Sequence, residues 1–157
     1  HSSFPLELMV VGKVSPELKT AWDTKAGFPI TWAGLVPREK IPELDRSAHL
    51  LYSADINAAC PNSVIEALAC GLPVAAFDTG ALPELVPPRA GRVVPYGSNP
   101  WQLGAPDVEA LARGAVDILH AGEEMRRAAR THAEEQFGLD QMVEKYLSVF
   151  GRDFTRP

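Results

Sequence analysis

The sequence predicts an α/β domain in which a parallel sheet of about five strands carries helices on both faces. Three observations predict it. Short apolar runs alternate with segments of helical periodicity, the pattern of parallel strands joined by crossover helices. The runs lack polar alternation, as strands covered on both sides do. At 157 residues the chain, taken as one domain over 1–157, can bury roughly 70% of its unfolded surface.

The elements follow in order. "LELMVVG", Leu6 to Gly12, reads as a buried strand ended by its glycine. A helix follows with Ser15 as N-cap, Pro16 at the first helical position and Gly27 at its end. "ITWAG", Ile30 to Gly34, is the second strand, Arg38 to Ala48 a short helix with Pro42 near its start, and His49 to Ala54 the third strand. After the loop "DINAACPN" comes the stretch "CPNSVIEALACGLPV", a short helix stopped by "CGLP". Pro73 to Asp78 and Gly91 to Gly97 are the fourth and fifth strands. Between them "TGALPELVPP" predicts a positive-φ turn at Gly80 and a one-turn helix with Glu84 near its start. Beyond "SNPWQLGAP" three helices are expected, Val108 to Ala121, Glu123 to Phe137 and Leu139 to Phe150. Asp107 is the N-cap of the first. Val108, Leu111, Ala112, Ala115, Ile118 and Leu119 form the stripe it lays on the sheet.

Charge and composition exclude several function classes. Fifteen Lys and Arg against twenty Asp and Glu leave a net charge of -5, a field that repels phosphodiester polymers, so no nucleic-acid partner is expected. No apolar run approaches the roughly 20 residues that cross a bilayer, so no membrane span is expected. Cys60 and Cys70 have neither metal-ligand spacing nor a companion histidine, and two free thiols suit a reducing, cytoplasmic location. No metal site is expected. The loops required by dinucleotide redox enzymes, phosphate-loop NTPases and serine hydrolases are absent from the sequence.

Glu66 carries the central question. Ser63 followed three residues later by Glu66 fits a capping box, which is a purely structural role. The same helix start also presents free amides and a positive dipole end at the carboxyl edge of a parallel sheet, where such sheets bind ligands. A carboxylate one turn further in can accept hydrogen bonds from sugar hydroxyls. Spacing alone leaves both readings open.

The surrounding residues bear on the choice. "NSVIEALACGLPVAAFDTGALPELV" closely resembles the donor-binding segment of retaining, nucleotide-sugar-dependent glycosyltransferases of GT-B fold, the group 1 family. The resemblance extends upstream through "WAGLVPREKIPELDRSAHLLYSA" and downstream through "GRVVPYG" and the closing helices. It implies a Rossmann-like α/β fold and a carboxyl-terminal donor-binding domain, with an N-terminal acceptor domain of the same parent protein as partner. It also implies transfer of a sugar from a UDP- or GDP-type nucleotide-sugar without a further cofactor. Glu66, which opens the intact phrase "EALACGLPV", is implied to bind the ribose. Asn62 and Ser63 offer amides to the diphosphate, and backbone groups at Gly34, Leu35 and Val36 are expected to flank the base. The donor sugar is expected toward Ala58, Ala59, Cys60 and Pro61.

The chain departs from the family pattern where chemistry is expected. The family's first glutamate lies eight positions before the second, and here that position is Ala58, which can neither accept a hydrogen bond through its side chain nor stabilise positive charge. The catalytic residue is therefore unknown. Ala59 and Pro61 replace glycines, and proline has no amide to offer. The first strand-and-helix unit of the family domain, with its basic residues, has no counterpart, and Lys13 is the one cation near a strand end. The isolated chain is expected to bind a donor without turning it over. The alternative is a non-catalytic family descendant that serves as a scaffold or partner-binding domain.

Overall fold

The structure, a computed structural model, describes residues 5–153. It divides into two compact units between Leu44 and Asp45.

The first unit is a strand, helix, strand motif. β1 (Leu8–Val11) and β2 (Ile30–Gly34) are parallel, with Leu8 opposite Ile30 and a register shift between Val10 and Val11. α1 (Pro16–Lys25) starts as its sequence dictates, because Ser15 Oγ accepts from the Leu18 amide at 3.2 Å and Pro16 opens the helix. Its residue Asp23 accepts from Trp32 Nε1 at 2.8 Å, tying helix to strand. The expectation that the first strand is buried fails. Leu8, Met9 and Val11 are 38%, 42% and 43% exposed, since one crossover helix on a two-stranded ladder cannot cover two faces.

α2 (Ile41–Ser47) follows a 3-10 turn over Arg38–Lys40. In the second unit β3 (Leu51–Ser53), β4 (Val74–Phe77) and β5 (Gly91–Val94) form a parallel sheet in the order β3-β4-β5. Five strands were expected in one sheet; they form one sheet of two and another of three. Among the described residues β1 has a ladder only with β2 and β3 only with β4, so no strand carries hydrogen bonding from one sheet to the other.

Central β4 explains the helices on both faces. Val74 and Ala76 point into a core with α3 (Asn62–Ala69), through Val64, Ala67 and Leu68, and with α4 (Leu82–Leu85) through Leu82. Ala75 and Phe77 point the other way, against Tyr96, Leu111, Ile118 and Met125. Alternation with both sides apolar is the property that the sequence of this strand displays. α5 (Val108–Gln136) serves both faces because it bends at Gly122, whose φ of 53° interrupts the helix between Ala121 and Glu123. Leu111, Ile118 and Met125 lie on one core, Ala129 and Ala133 on the other. Asp107 caps its start, Oδ1 accepting from the Ala110 amide at 2.8 Å. α6 (Leu139–Asp153) leaves Leu139, Met142, Tyr146 and Leu147 exposed.

Candidate functional site

α3 ends and begins for separate reasons. At its end Gly71 takes φ 71°, the Gly71 amide donates to Leu68 O and the Leu72 amide to Ala67 O at 2.9 Å. These paired bonds close the last turn and return the chain into β4. At its start helical geometry begins at Asn62, with Pro61 in an extended conformation as N-cap and its carbonyl accepting from Val64 and Ile65. Ser63 is thus the second residue of the helix and not its cap. The capping box fails because the N-cap is Pro61, two residues before Ser63, so the Ser63 hydroxyl does not stand at the cap position from which it would accept from the Glu66 amide. Asn62 and Ser63 are exposed, at positions whose amides a helix leaves without internal acceptors.

The loop before Pro61 is held by the turn after β4. Thr79 is buried, and its Oγ1 contacts Asp55 O and the Asn57 amide, each at 3.4 Å. Asn57 sits at φ 59°, a conformation that asparagine tolerates better than most residues. The Ala81 amide donates to Ala58 O at 2.8 Å. Ala58 is half-buried, Ala59 and Cys60 are exposed and Pro61 is buried. The expected sugar side of the site is therefore a fixed, neutral loop followed by the first amides of α3. Asp78, at the end of β4, is engaged in structure, its Oδ1 accepting from the Tyr96 amide at 2.8 Å.

Glu66 lies one turn inside α3, half-buried. Two other acids share its surroundings. Burial, and then the charge of Glu66, raise the carboxyl of Asp45 above the usual carboxylate range, while Arg46 opposes them. Burial and the charge of Asp45 raise the Cys70 thiol. Asp45 Oδ2 is solvent-excluded and has no hydrogen-bond partner among the described residues. Sequence reading missed Asp45, since "PELDRSA" offers nothing but an ordinary helical charge. It also missed the Thr79 tether, although "DTGAL" did signal the turn at Gly80, whose φ is 56°.

Gly34, Leu35 and Val36 belong to the first unit. Gly34 closes β2 at φ 67°, its carbonyl accepts from the Gly12 amide at 2.7 Å, and a Cβ placed on it would meet nothing within 4 Å. Leu35 is 80% exposed and Val36 half-buried. This turn is open enough for another molecule to approach the backbone. Lys13 is exposed. Trp101, 79% exposed in the loop after β5, is not a packing anchor. Among the described residues no group of three or more His, Cys, Asp or Glu is placed to hold a metal, and no helix is long and apolar enough to cross a membrane.

In the second unit the site can thus offer amides to an anion and a carboxylate to hydroxyl groups, with no acid at Ala58. Comparison with known proteins identifies the family. A 2-deoxystreptamine N-acetyl-D-glucosaminyltransferase of Streptomyces fradiae is 26% identical over 127 residues, 77% of this chain and 28% of that protein. Sucrose-phosphate synthase from Thermosynechococcus elongatus superposes with a TM-score of 0.72 at 21% identity, covering 92% of this chain and 39% of that one. The pneumococcal O-GlcNAc transferase GtfA, solved with UDP and GlcNAc, superposes at 0.68 and 18% identity, covering 96% of this chain and 29% of that one. These two structures share the fold. The chain spans under a third of the length of the curated relative. The family model for glycosyl transferases group 1 matches residues 1–121, and the chain belongs to that family.

Proposed function

We propose that this chain is the carboxyl-terminal, donor-binding domain of a cytoplasmic glycosyltransferase that moves a sugar from a UDP- or GDP-type nucleotide-sugar to an acceptor with retention of configuration. The observation that carries the reading is the start of α3, where the exposed residues Asn62 and Ser63 lie one turn ahead of half-buried Glu66. The amides and the helix dipole suit a diphosphate, and the carboxylate suits the two hydroxyls of a ribose. GtfA, of like fold, was solved with UDP. The open turn at Gly34 is assigned to the base, and the loop from Ala58 to Pro61 to the donor sugar.

The acceptor domain, and one strand-and-helix unit ahead of Leu6, are assigned to the parent protein outside this sequence. Since transfer needs an acceptor and a group to stabilise developing charge, and Ala58 supplies none, the isolated chain binds donor without turnover.

Calorimetric titration with UDP and GDP tests the reading. Glu66→Ala should weaken nucleotide binding by about 1.5–3 kcal/mol, the range for hydrogen bonds to a charged group. Nucleotide at about a hundred times its dissociation constant should add about 2.7 kcal/mol of stability. A chain with no thermal shift from any nucleoside diphosphate or nucleotide-sugar would instead be the non-catalytic scaffold that the Ala58 departure makes conceivable.

A further inference from the structure

The residues behind Glu66 form an unusual group. Glu66 lies on α3 and Cys70, four residues on, is its C-cap, so the two stand on one side of the helix. Both interact electrostatically with Asp45 on α2. Three groups that ionise to anions thus stand together. The cations that face them are Arg46, next to Asp45, and Arg130, from α5. Arg130 is already committed, donating to Ala69 O and to Glu134 Oε1. From the sheet, the residues packed with α3 in its core are Leu51, Val74, Ala76 and Val93, none of which titrates.

Asp45 is the member of the group whose charge is least supported. Its Oδ2 is cut off from solvent and accepts no hydrogen bond among the described residues. An ionised carboxylate in that position adds a negative charge beside Glu66, offset only in part by Arg46, where the proposed donor brings a diphosphate.

We propose that Asp45 is a positioning residue for the donor site: carrying a proton it leaves Glu66 as the one anion facing the ribose, and ionised it opposes both Glu66 and the incoming diphosphate. This rests on the donor-binding reading above and extends it to a residue outside the site's contacts. Donor affinity then falls as pH rises through the ionisation of Asp45. By linkage, a bound nucleotide makes that ionisation harder by the same factor.

The test is UDP titration of the chain and of Asp45→Asn at closely spaced pH values from 4 to 8, with circular dichroism to verify that both are folded. UDP changes its own charge equally in the two experiments, so the ratio of dissociation constants, wild type over variant, isolates Asp45. The ratio should rise with pH as Asp45 ionises, by about threefold in all, the size of one screened charge pair. A ratio that does not change with pH overturns the proposal.

The carboxyl carbon of Asp45, followed by NMR across the same pH range, gives a reading that needs no ligand. Glu66→Gln should lower its titration midpoint, and an unmoved midpoint overturns the coupling. Should UDP and GDP bind neither wild type nor variant, the donor-site reading fails and this proposal fails with it. A lowered Asp45 midpoint would then leave only the electrostatic coupling standing, so the two failures are distinguishable.

Discussion

Gly80 meets Ala58 backbone to backbone, leaving no room for a side chain between them. A Cβ on Gly80 would lie 2.7 Å from the Ala58 nitrogen and equally close to the Asn57 carbonyl carbon. The next amide, Ala81, donates to Ala58 O. Glycine is required here twice over, by space and by its φ of 56°.

Gly80→Ala should therefore cost about 2 kcal/mol or more, adding left-handed strain to overpacking against a backbone that cannot move aside. For a chain of this size, that is a fall in Tm of roughly 4–8 °C. Because the displaced segment leads into Asn62, UDP binding should weaken in the same variant. Thermal melts and calorimetry check the two halves, and an unchanged Tm would contradict the packing.

Arg126 and Arg130 reach from α5 to the ends of the two helices nearest Glu66. Arg126 Nη1 donates to Ala48 O at 2.6 Å and Nη2 to Arg46 O at 3.3 Å, while Arg130 Nη1 donates to Ala69 O. Each guanidinium sits where helix carbonyls lack internal donors and the dipole favours a cation. Arg126→Ala should destabilise by about 1.5–3 kcal/mol. Arg126→Lys keeps the charge but cannot spread two donors over two carbonyls, so its loss should be smaller. Chemical denaturation of both variants tests that order; equal losses would show that the paired donors carry the whole effect and the charge none of it.

Much of the fold is legible in the sequence because it depends on neighbours in sequence. Ser15 and Asp107 cap the helices they precede, Gly71 ends α3, and Gly122 breaks α5 between the two helices expected over Val108 to Ala121 and Glu123 to Phe137. The two separate sheets are not legible, since strand order is decided by pairing between distant segments and an apolar run reads alike at an edge or a centre. In the site, Glu66 is found through its surrounding phrase and Pro61 corrects the start of its helix. Asp45 and Thr79 are brought near by tertiary contact over 21 and 22 or more residues, a separation at which periodicity carries no information.

His132 is buried on α5, with Nε2 3.1 Å from Leu85 O and Nδ1 3.4 Å from Arg89 Nη2. A carbonyl on one side and a guanidinium on the other assign the tautomer, Nε2–H donating and Nδ1 accepting. Its ring also meets Phe137 edge-on, with centroids 5.4 Å apart. His132→Phe retains the ring but removes the donor to Leu85 O, and should cost about 1–3 kcal/mol for a buried acceptor left bare. His132→Ala should cost more, since it also leaves a cavity beside Phe137. If the two variants melt together, the hydrogen bond rather than the ring contact accounts for the whole effect.

Asp45 also makes a prediction for stability without ligand. In the folded chain its carboxyl holds its proton more tightly than the ordinary value of 3.8, through burial first and the charge of Glu66 second. The folded state therefore binds more protons than the unfolded state between 3.8 and the raised folded value, so stability falls as pH rises across that window and stays lower above it. Asp45→Asn removes the ionisation while keeping the shape. It should melt above wild type at pH 7, and the difference should shrink as pH is lowered toward 4. A variant less stable than wild type at pH 7, with an unchanged pH profile, would mean that the Asp45 carboxylate is satisfied where it lies.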